Sequence, residues 1–416
     1  MEQKIVAQAR GVKEASRTLA TCSTAKRNSV LKAVAARLQS DMPAILEANR
    51  EDLERAKSSG LSAVLMDRLL LTPDRIVQMR KGVRDVLSLP DPLGRKFGRV
   101  KRPNGLIVER MTVPLGAIGI IYESRPNVTI DAAILCLKSG NTVLLRGGSE
   151  AISTNRALTG VLKKSLQETG LPPECVEFVD TTDREAVLVM LKQDEALDVI
   201  IPRGSQQLIS FIREHSSVPV IAHGEGNCHV YVDRSADLDE AAEIVFNAKV
   251  QRPSVCNAAE KLLVHRAVAK KFLPRIARRL LDAGVEIRGD AATLALIPEA
   301  HQADEDDWHR EYLDLVIAVK TVESLDEAIS HINRYGSHHS DAIVTATVSH
   351  GERFLQNVDS AAVYVNASTR FTDGYELGLG AEIGISTQKL HARGPMGLAE
   401  LTTSKFVVHG KGQVRK

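Results

Sequence analysis

The stretch Thr142-Val143-Leu144-Leu145-Arg146-Gly147-Gly148-Ser149-Glu150-Ala151 decides the fold. A β-prone, mostly apolar run ends in paired glycines, and the segment beyond it, Thr154–Leu166, has helical spacing. Strand, glycine turn and helix form the repeating unit of parallel sheets, because a crossover is needed to bring the next strand back in the same direction. Working outward, the alternation recurs. Short β-rich runs stand at Ala117–Ile121, Thr142–Leu145, Val176–Val179, Leu197–Ile201 and Val218–Ala222, with helix-like stretches such as Arg184–Lys192 between them. This predicts an α/β fold with a doubly wound parallel sheet. Ligands of such sheets bind beyond the carboxyl ends of the strands, so the turns after these runs matter most.

A second alternating series follows at His229–Val232, Lys261–Val264, Leu315–Val319, Ala342–Thr345 and Ala361–Val365, predicting a second α/β unit. Upstream, residues 1–87 read as helical: Val30, Leu31, Val34 and Leu38 recur at helical spacing, and Ser58-Ser59-Gly60 is a stop signal. Pro90, Pro92 and Gly94 break the pattern, and Gly105–Val113 reads as an extended excursion, either a hairpin arm for another subunit or a surface hairpin. Thr402–Val408 reads as a last strand before the basic end Gly410–Lys416, and Ala303-Asp304-Glu305-Asp306-Asp307 as a solvated acidic loop.

With 416 residues, two or three domains of ~100–200 residues are expected. Hydrophobic content of 44% with 25% charged residues is that of a soluble globular protein. Against 52 acidic residues, 54 basic ones leave a net charge of +2, which argues against an electrostatic nucleic-acid binder. Five cysteines without CxxC spacing argue against a disulfide framework or a zinc site and fit a reducing cytoplasm. The start Met1-Glu2-Gln3-Lys4-Ile5 lacks a signal-peptide core, and no apolar run approaches the ~20 residues of a membrane span. His338-His339, read as part of a strand, would point to opposite faces, so no metal is expected.

Chemistry concentrates around Gln251-Arg252-Pro253-Ser254-Val255-Cys256-Asn257. Pro253 fixes its φ and removes a donor, so the approach to Cys256 should be a turn, and Arg252 would favour the nucleophilic thiolate. A small buried hydrophobe is the alternative for any isolated cysteine. Arg146, Gly147, Gly148 and Ser149 form a turn that lets a ligand approach the backbone, although a tight strand–helix turn explains it equally well. Gly204 and Ser205, in Pro202-Arg203-Gly204-Ser205, repeat the arrangement after the fourth run, with Ser205 otherwise an ordinary N-cap. After the first run, Ser124 and Arg125 suit a carboxylate or phosphate, and Asn127 suits an oxyanion or simply the loop backbone. Arg370 and Arg393 lie in the glycine-rich segment 369–395 and are further candidates for anionic groups.

Taken together, these residues resemble the aldehyde dehydrogenase superfamily and, within it, the γ-glutamyl phosphate reductase family. The diagnostic run is Val322, Ala328-Ile329-Ser330-His331-Ile332 and Tyr335-Gly336-Ser337-His338-His339-Ser340-Asp341-Ala342-Ile343. Ile120–Asn127, Gln251–Asn257, Tyr364–Gly374 and Gln388–Pro395 also match. The resemblance implies reduction of L-glutamyl 5-phosphate by NADPH to glutamate 5-semialdehyde and phosphate, the second step of proline biosynthesis. It implies Cys256 as the catalytic cysteine, Asn127 as an oxyanion donor and Glu311 as the residue holding the nicotinamide ribose. It further implies an NADP-binding domain of residues 1–101 and 114–222, a catalytic domain of 223–394, and an oligomerisation arm of 102–113 with 395–416. A homo-oligomer and functional coupling to glutamate 5-kinase go with it.

Two departures from the wider superfamily are informative. Hydrolytic members carry a glutamate base where this chain has Ile221-Ala222-His223-Gly224, with Glu225 only later. NAD-preferring members place an acid near the adenosine ribose where this chain has Arg146 and Ser149, which favours NADP, with Glu150 close by. The rival readings are a hydrolytic aldehyde dehydrogenase and a non-catalytic protein that keeps the fold.

Overall fold

In the computed structural model, which describes residues 1–415 except Ser124 and His223, the chain forms two compact units. The first comprises Met1–Ala222, Gly378–Gly384 and Met396–Lys416; the second comprises His223–Leu377 and Ile385–Pro395. The sequence alone places 378–384 with the second domain. They group with the first because Ile383 N–H donates to Met396 O at 2.9 Å and Met396 N–H to Gly384 O at 2.7 Å, within that unit.

The first unit opens with the helices Glu2–Ala20, Thr24–Ser40, Met42–Ser58, Ala63–Leu69 and Pro73–Ser88. Ile5, Ala9, Val12, Ala15 and Leu19 form a buried stripe at spacings of three and four residues, as a core-facing helix requires. Val30, Leu31, Val34 and Leu38 do the same in the second helix, which Ser23 caps by accepting from Lys26 N–H. Thr72 caps Pro73–Ser88, whose proline sits at the helix start, where no donor is lost.

Strand β1 (Lys96–Lys101) and strand β2 (Ile107–Pro114) form an antiparallel hairpin, and the C-terminal strand Thr402–His409 adds to the other side of β2. The extended excursion is therefore real, but its pairing begins earlier than the sequence suggested, at Lys96. A parallel sheet follows, built from β3 (Ala117–Tyr122), β4 (Thr142–Arg146), β5 (Val176–Phe178) and β6 (Val199–Arg203) in the order β5-β4-β3-β6. Its strands are nearly continuous apolar runs because helices cover both faces. The expected strand Val218–Ala222 is reduced to a single bridge between Val220 and Ile200. Pro219 offers Ile200 a carbonyl at 2.8 Å but has no N–H to extend a ladder.

In the second unit β7 (Cys228–Val232), β8 (Ala259–His265), β9 (Glu286–Gly289), β10 (His301–Gln302), β11 (Val316–Val322), β12 (Ser340–Val344) and β13 (Ala362–Val365) make a parallel sheet ordered β10-β9-β11-β8-β7-β12-β13. Alternate residues face opposite cores: Val230 and Val232 join Phe272, Leu273 and Ile276 on one side, while Tyr231 joins Ile329, Ile332 and Phe354 on the other. Residues 303–307 are not a solvated loop. Asp304 and Asp307 cap each other's backbone at the start of the helix Glu305–His309, and Asp307 is buried against Arg288 at 2.8 Å. His338 and His339 precede β12 rather than lying in a strand, His338 with φ +61°. No helix among the described residues is long and apolar enough to cross a membrane.

Candidate active site

In the first unit, strand register sets Ile121 beside Arg146 and Tyr122 beside Arg203, so β3, β4 and β6 end side by side. The turns singled out in the sequence therefore share one edge of one sheet. Arg146 is 9% exposed, and its Nε has no hydrogen-bond partner. Burial pushes this guanidinium below its ordinary value, and Glu150 acts against that shift. Asn155 Nδ2 is likewise buried without a partner, while Asn155 Oδ1 accepts from Thr129 Oγ1 at 2.9 Å. The amide is thus fixed with its NH2 toward the turn, 2.2 Å from where a Cβ on Gly147 would lie. Each such orphan costs about 1–3 kcal/mol, which a ligand rich in oxygen acceptors would recover. Gly148 completes the turn and Ser149 stands exposed beyond it. These residues fit the hydroxyl and phosphate oxygens of a nucleotide.

The turn after β6 is differently employed. Ser205 N–H donates to the Glu123 carboxylate at 2.7 Å, and the Ser205 hydroxyl donates to it at 3.2 Å while accepting from Leu208 N–H at 3.4 Å. Ser205 is an N-cap, and an internal acid answers the positive end of the helix Gln206–His215. A Cβ on Gly204 would lie 2.5 Å from that same carboxylate. Arg125 is exposed after β3, and Ser124 lies outside the described residues. Asn127 begins the helix Asn127–Lys138 and donates through Nδ2 to Asp131 at 2.9 Å. Burial pushes the Asp131 carboxyl up to about 6, with Asn127 pulling the other way.

In the second unit, the helix Leu238–Val250 stops where Arg252 must adopt an extended conformation before Pro253. The chain turns, Ala258 N–H donates to Val255 O at 3.0 Å, and β8 begins at Ala259. Cys256 lies in this turn, half-buried rather than sealed. Its carbonyl packs on Gly226 so closely that a Cβ there would fall 1.8 Å from the Cys256 oxygen. Gly226 N–H in turn donates to Glu311 Oε1 at 2.8 Å. One glycine thereby brings Cys256 and Glu311 together. The sequence reading missed Gly226; its only signal was the Gly-Glu-Gly run at 224–226.

Burial pushes the Glu311 carboxyl up to about 7, with Gly226 opposing and Glu260 and Glu225 reinforcing. Its flanks are held by β8: Lys261 Nζ donates to Arg310 O at 2.7 Å, and Tyr312 N–H donates to Glu260 at 3.1 Å. Behind the Cys256 turn stands Cys228, whose thiol donates to Cys256 O at 3.1 Å. Burial raises the Cys228 thiol far above its ordinary value.

The two remaining arginines are engaged within the protein. Arg370 donates to Gln251 and Asn257 on either side of Cys256. Arg393 donates through Nη2 to the Asp359 carboxylate and carbonyl, both at 2.9 Å. Position 221–224 offers no acid: Ile221 and Ala222 are buried, His223 lies outside the described residues, and Glu225 is exposed.

The model of the aldehyde dehydrogenase family matches residues 2–310. The γ-glutamyl phosphate reductase of Caldicellulosiruptor bescii is 55% identical over 416 residues, covering 99% of each chain. A crystal structure of the Thermotoga maritima γ-glutamyl phosphate reductase superposes with a TM-score of 0.97 at 51% identity, covering 99% of this chain and 100% of that one. An engineered glycolyl-CoA reductase with bound NADP+ shares the fold, at a TM-score of 0.68 and 15% identity, covering 97% of this chain and 96% of that one.

Proposed function

From the premise that this chain belongs to the aldehyde dehydrogenase family, and within it to the γ-glutamyl phosphate reductases, we propose that Cys256 is its nucleophile and NADPH its reductant. Its reaction is the reduction of L-glutamyl 5-phosphate to L-glutamate 5-semialdehyde and phosphate, the second step of proline biosynthesis. The observation that carries the reading is the half-buried Cys256 turn seated on Gly226, whose N–H holds Glu311.

The Cys256 thiolate attacks the acyl carbon; a C–S bond forms, the C–O bond to phosphate breaks, and phosphate leaves. The oxyanion of that step needs fixed donors, for which the Cys256 backbone N–H and, by motif resemblance, Asn127 are the candidates. A bound reduced nicotinamide supplies hydride to the resulting thioester. Cys256 then leaves from the thiohemiacetal as thiolate and frees the aldehyde. Arg146 and Asn155 would hold hydroxyl or phosphate oxygens of the cofactor, with the glycines at 147 and 148 between them, and Glu311 its ribose. Arg146 with exposed Ser149 is our reason for NADP; the Glu150 carboxylate, 2.2 Å from where a Cβ on Gly148 would lie, is the acid that opposes it. With no acid at 221–224 to activate water, the thioester survives until hydride arrives.

We further read residues 1–101 and 114–222 as the cofactor domain, 223–394 as the catalytic domain, and 102–113 with 395–416 as an oligomerisation arm. Phe406 and Val408 on that arm are 69% and 52% exposed. Cytoplasmic placement and supply of the labile acyl phosphate by glutamate 5-kinase belong to the same proposal.

The test runs the reaction backward, with semialdehyde and NADP. NADPH formation should depend strictly on added phosphate, and NADH formation with NAD in place of NADP should be slower. Phosphate-independent turnover would instead identify a hydrolytic enzyme.

A further inference from the structure

Arg370 lies in the short turn Thr369–Phe371, half-buried, and its guanidinium is shared between two partners. Nε donates to the Gln251 side-chain oxygen at 2.8 Å, and Nη1 donates to the Asn257 side-chain oxygen. Gln251 opens the nucleophile turn and Asn257 directly follows Cys256, so one side chain grips the turn at both ends. Return contacts lock the grip. Asn257 Nδ2 donates to Thr372 O at 2.8 Å, and Thr369 Oγ1 donates to Asn257 O at 2.7 Å. Only a planar fork of donors spans two acceptors in this way; a lysine ammonium is a point charge on a flexible stem.

Resting on the assignment of Cys256 as nucleophile, we propose that Arg370 is a positioning residue for that sulfur rather than a ligand of the substrate. It fixes the turn from both ends and keeps one permanent positive charge beside it. Around the turn, this unit also presents Arg252 on the turn itself, Asp373 beyond Arg370, Cys228 on β7, His339 and Asp341 at β12, and Glu311 on its loop. Burial, then Arg252, hold the Arg370 guanidinium below its ordinary value, while Asp373, Cys256 and Cys228 favour its charged form. The coupling is mutual: what an ionised Cys256 does for the cation, the cation does for the thiolate.

The experiment measures the rate of iodoacetamide alkylation against pH in the full-length protein, with Cys256 followed by peptide mass. Alongside it, kcat and KM are measured for semialdehyde and phosphate. Arg370→Gln should move the alkylation inflection upward by about one pH unit and slow the reaction at neutral pH roughly tenfold, with KM for both substrates little changed. Arg370→Lys should restore the inflection but not kcat, because it returns the charge without the fork. An unmoved inflection together with a large rise in KM makes Arg370 a substrate ligand and overturns the proposal. Should Arg370→Gln fail to fold, Gln251→Ala, at an exposed position, removes one arm of the grip: kcat should fall severalfold, and an unchanged kcat and alkylation profile overturns the proposal. A fully active Cys256→Ser enzyme removes the functional reading itself, whereas an unmoved profile alongside an inactive Cys256→Ser enzyme removes only this one.

Discussion

Cys228 and Cys256 touch through one hydrogen bond, yet the backbone gives them opposite surroundings. Cys228 is the first residue of β7, fully buried, with its thiol forced far above its ordinary value by desolvation and with Asp341 adding to the shift. Cys256 stands in a turn that Pro253 keeps out of the preceding helix, half-buried, between Arg252 and Asn257. On the proposal that Cys256 is the nucleophile, reactivity belongs to the element that carries the sulfur, since thiolate formation needs solvation and nearby positive charge.

The strongest way to break this comparison is Cys256→Ser. Its turnover should fall at least roughly a thousandfold while NADP binding, read by fluorescence titration, persists. Near-normal turnover would hand the nucleophile's role to another group. Next comes Gly226→Ala, whose new methyl would sit 1.8 Å from the Cys256 carbonyl. The turn must shift, and kcat should drop on the order of a hundredfold while the protein remains folded by circular dichroism. An unaffected enzyme would mean that Gly226 does not set the position of the nucleophile. The smallest effect is expected from Cys228→Ser. A hydroxyl can still donate to the Cys256 carbonyl, so kcat should stay within about threefold, with a stability loss of about 1 kcal/mol in a denaturant titration. A loss approaching that of Cys256→Ser would show that the buried thiol takes part in the reaction.

How far the sequence could be read depended on the range over which each feature is determined. The stripe Val30, Leu31, Val34 and Leu38 and the strand–turn–helix at Thr142–Leu166 are local patterns, and both appear as expected. The Cys256 turn was legible because Pro253 acts on its immediate neighbours. Strand β9, Glu286-Ile287-Arg288-Gly289, escaped notice because its charged residues break the apolar run that marks a buried strand. The helix after Asp304 was legible in principle from the reciprocal Asp304–Asp307 cap, but the density of acids suggested solvent. The partners of Arg370, Arg393 and Ser205 were beyond reach. Gln251 and Arg370 stand 119 residues apart, and Glu123 and Ser205 stand 82 apart, and nothing local signals either pairing.

The pairing of β2 with Thr402–His409 also has a consequence for synthesis. A nascent chain emerging from the ribosome makes β1 and β2 early, then the parallel sheets of both units, and the partner for the open side of β2 only with residues 402–409. Throughout that interval β2 presents an unsatisfied edge to every other chain nearby, the condition under which strands pair with the wrong molecule. A chain truncated before Thr402 would keep both parallel sheets complete with that edge still bare, a substrate for chaperones rather than for catalysis.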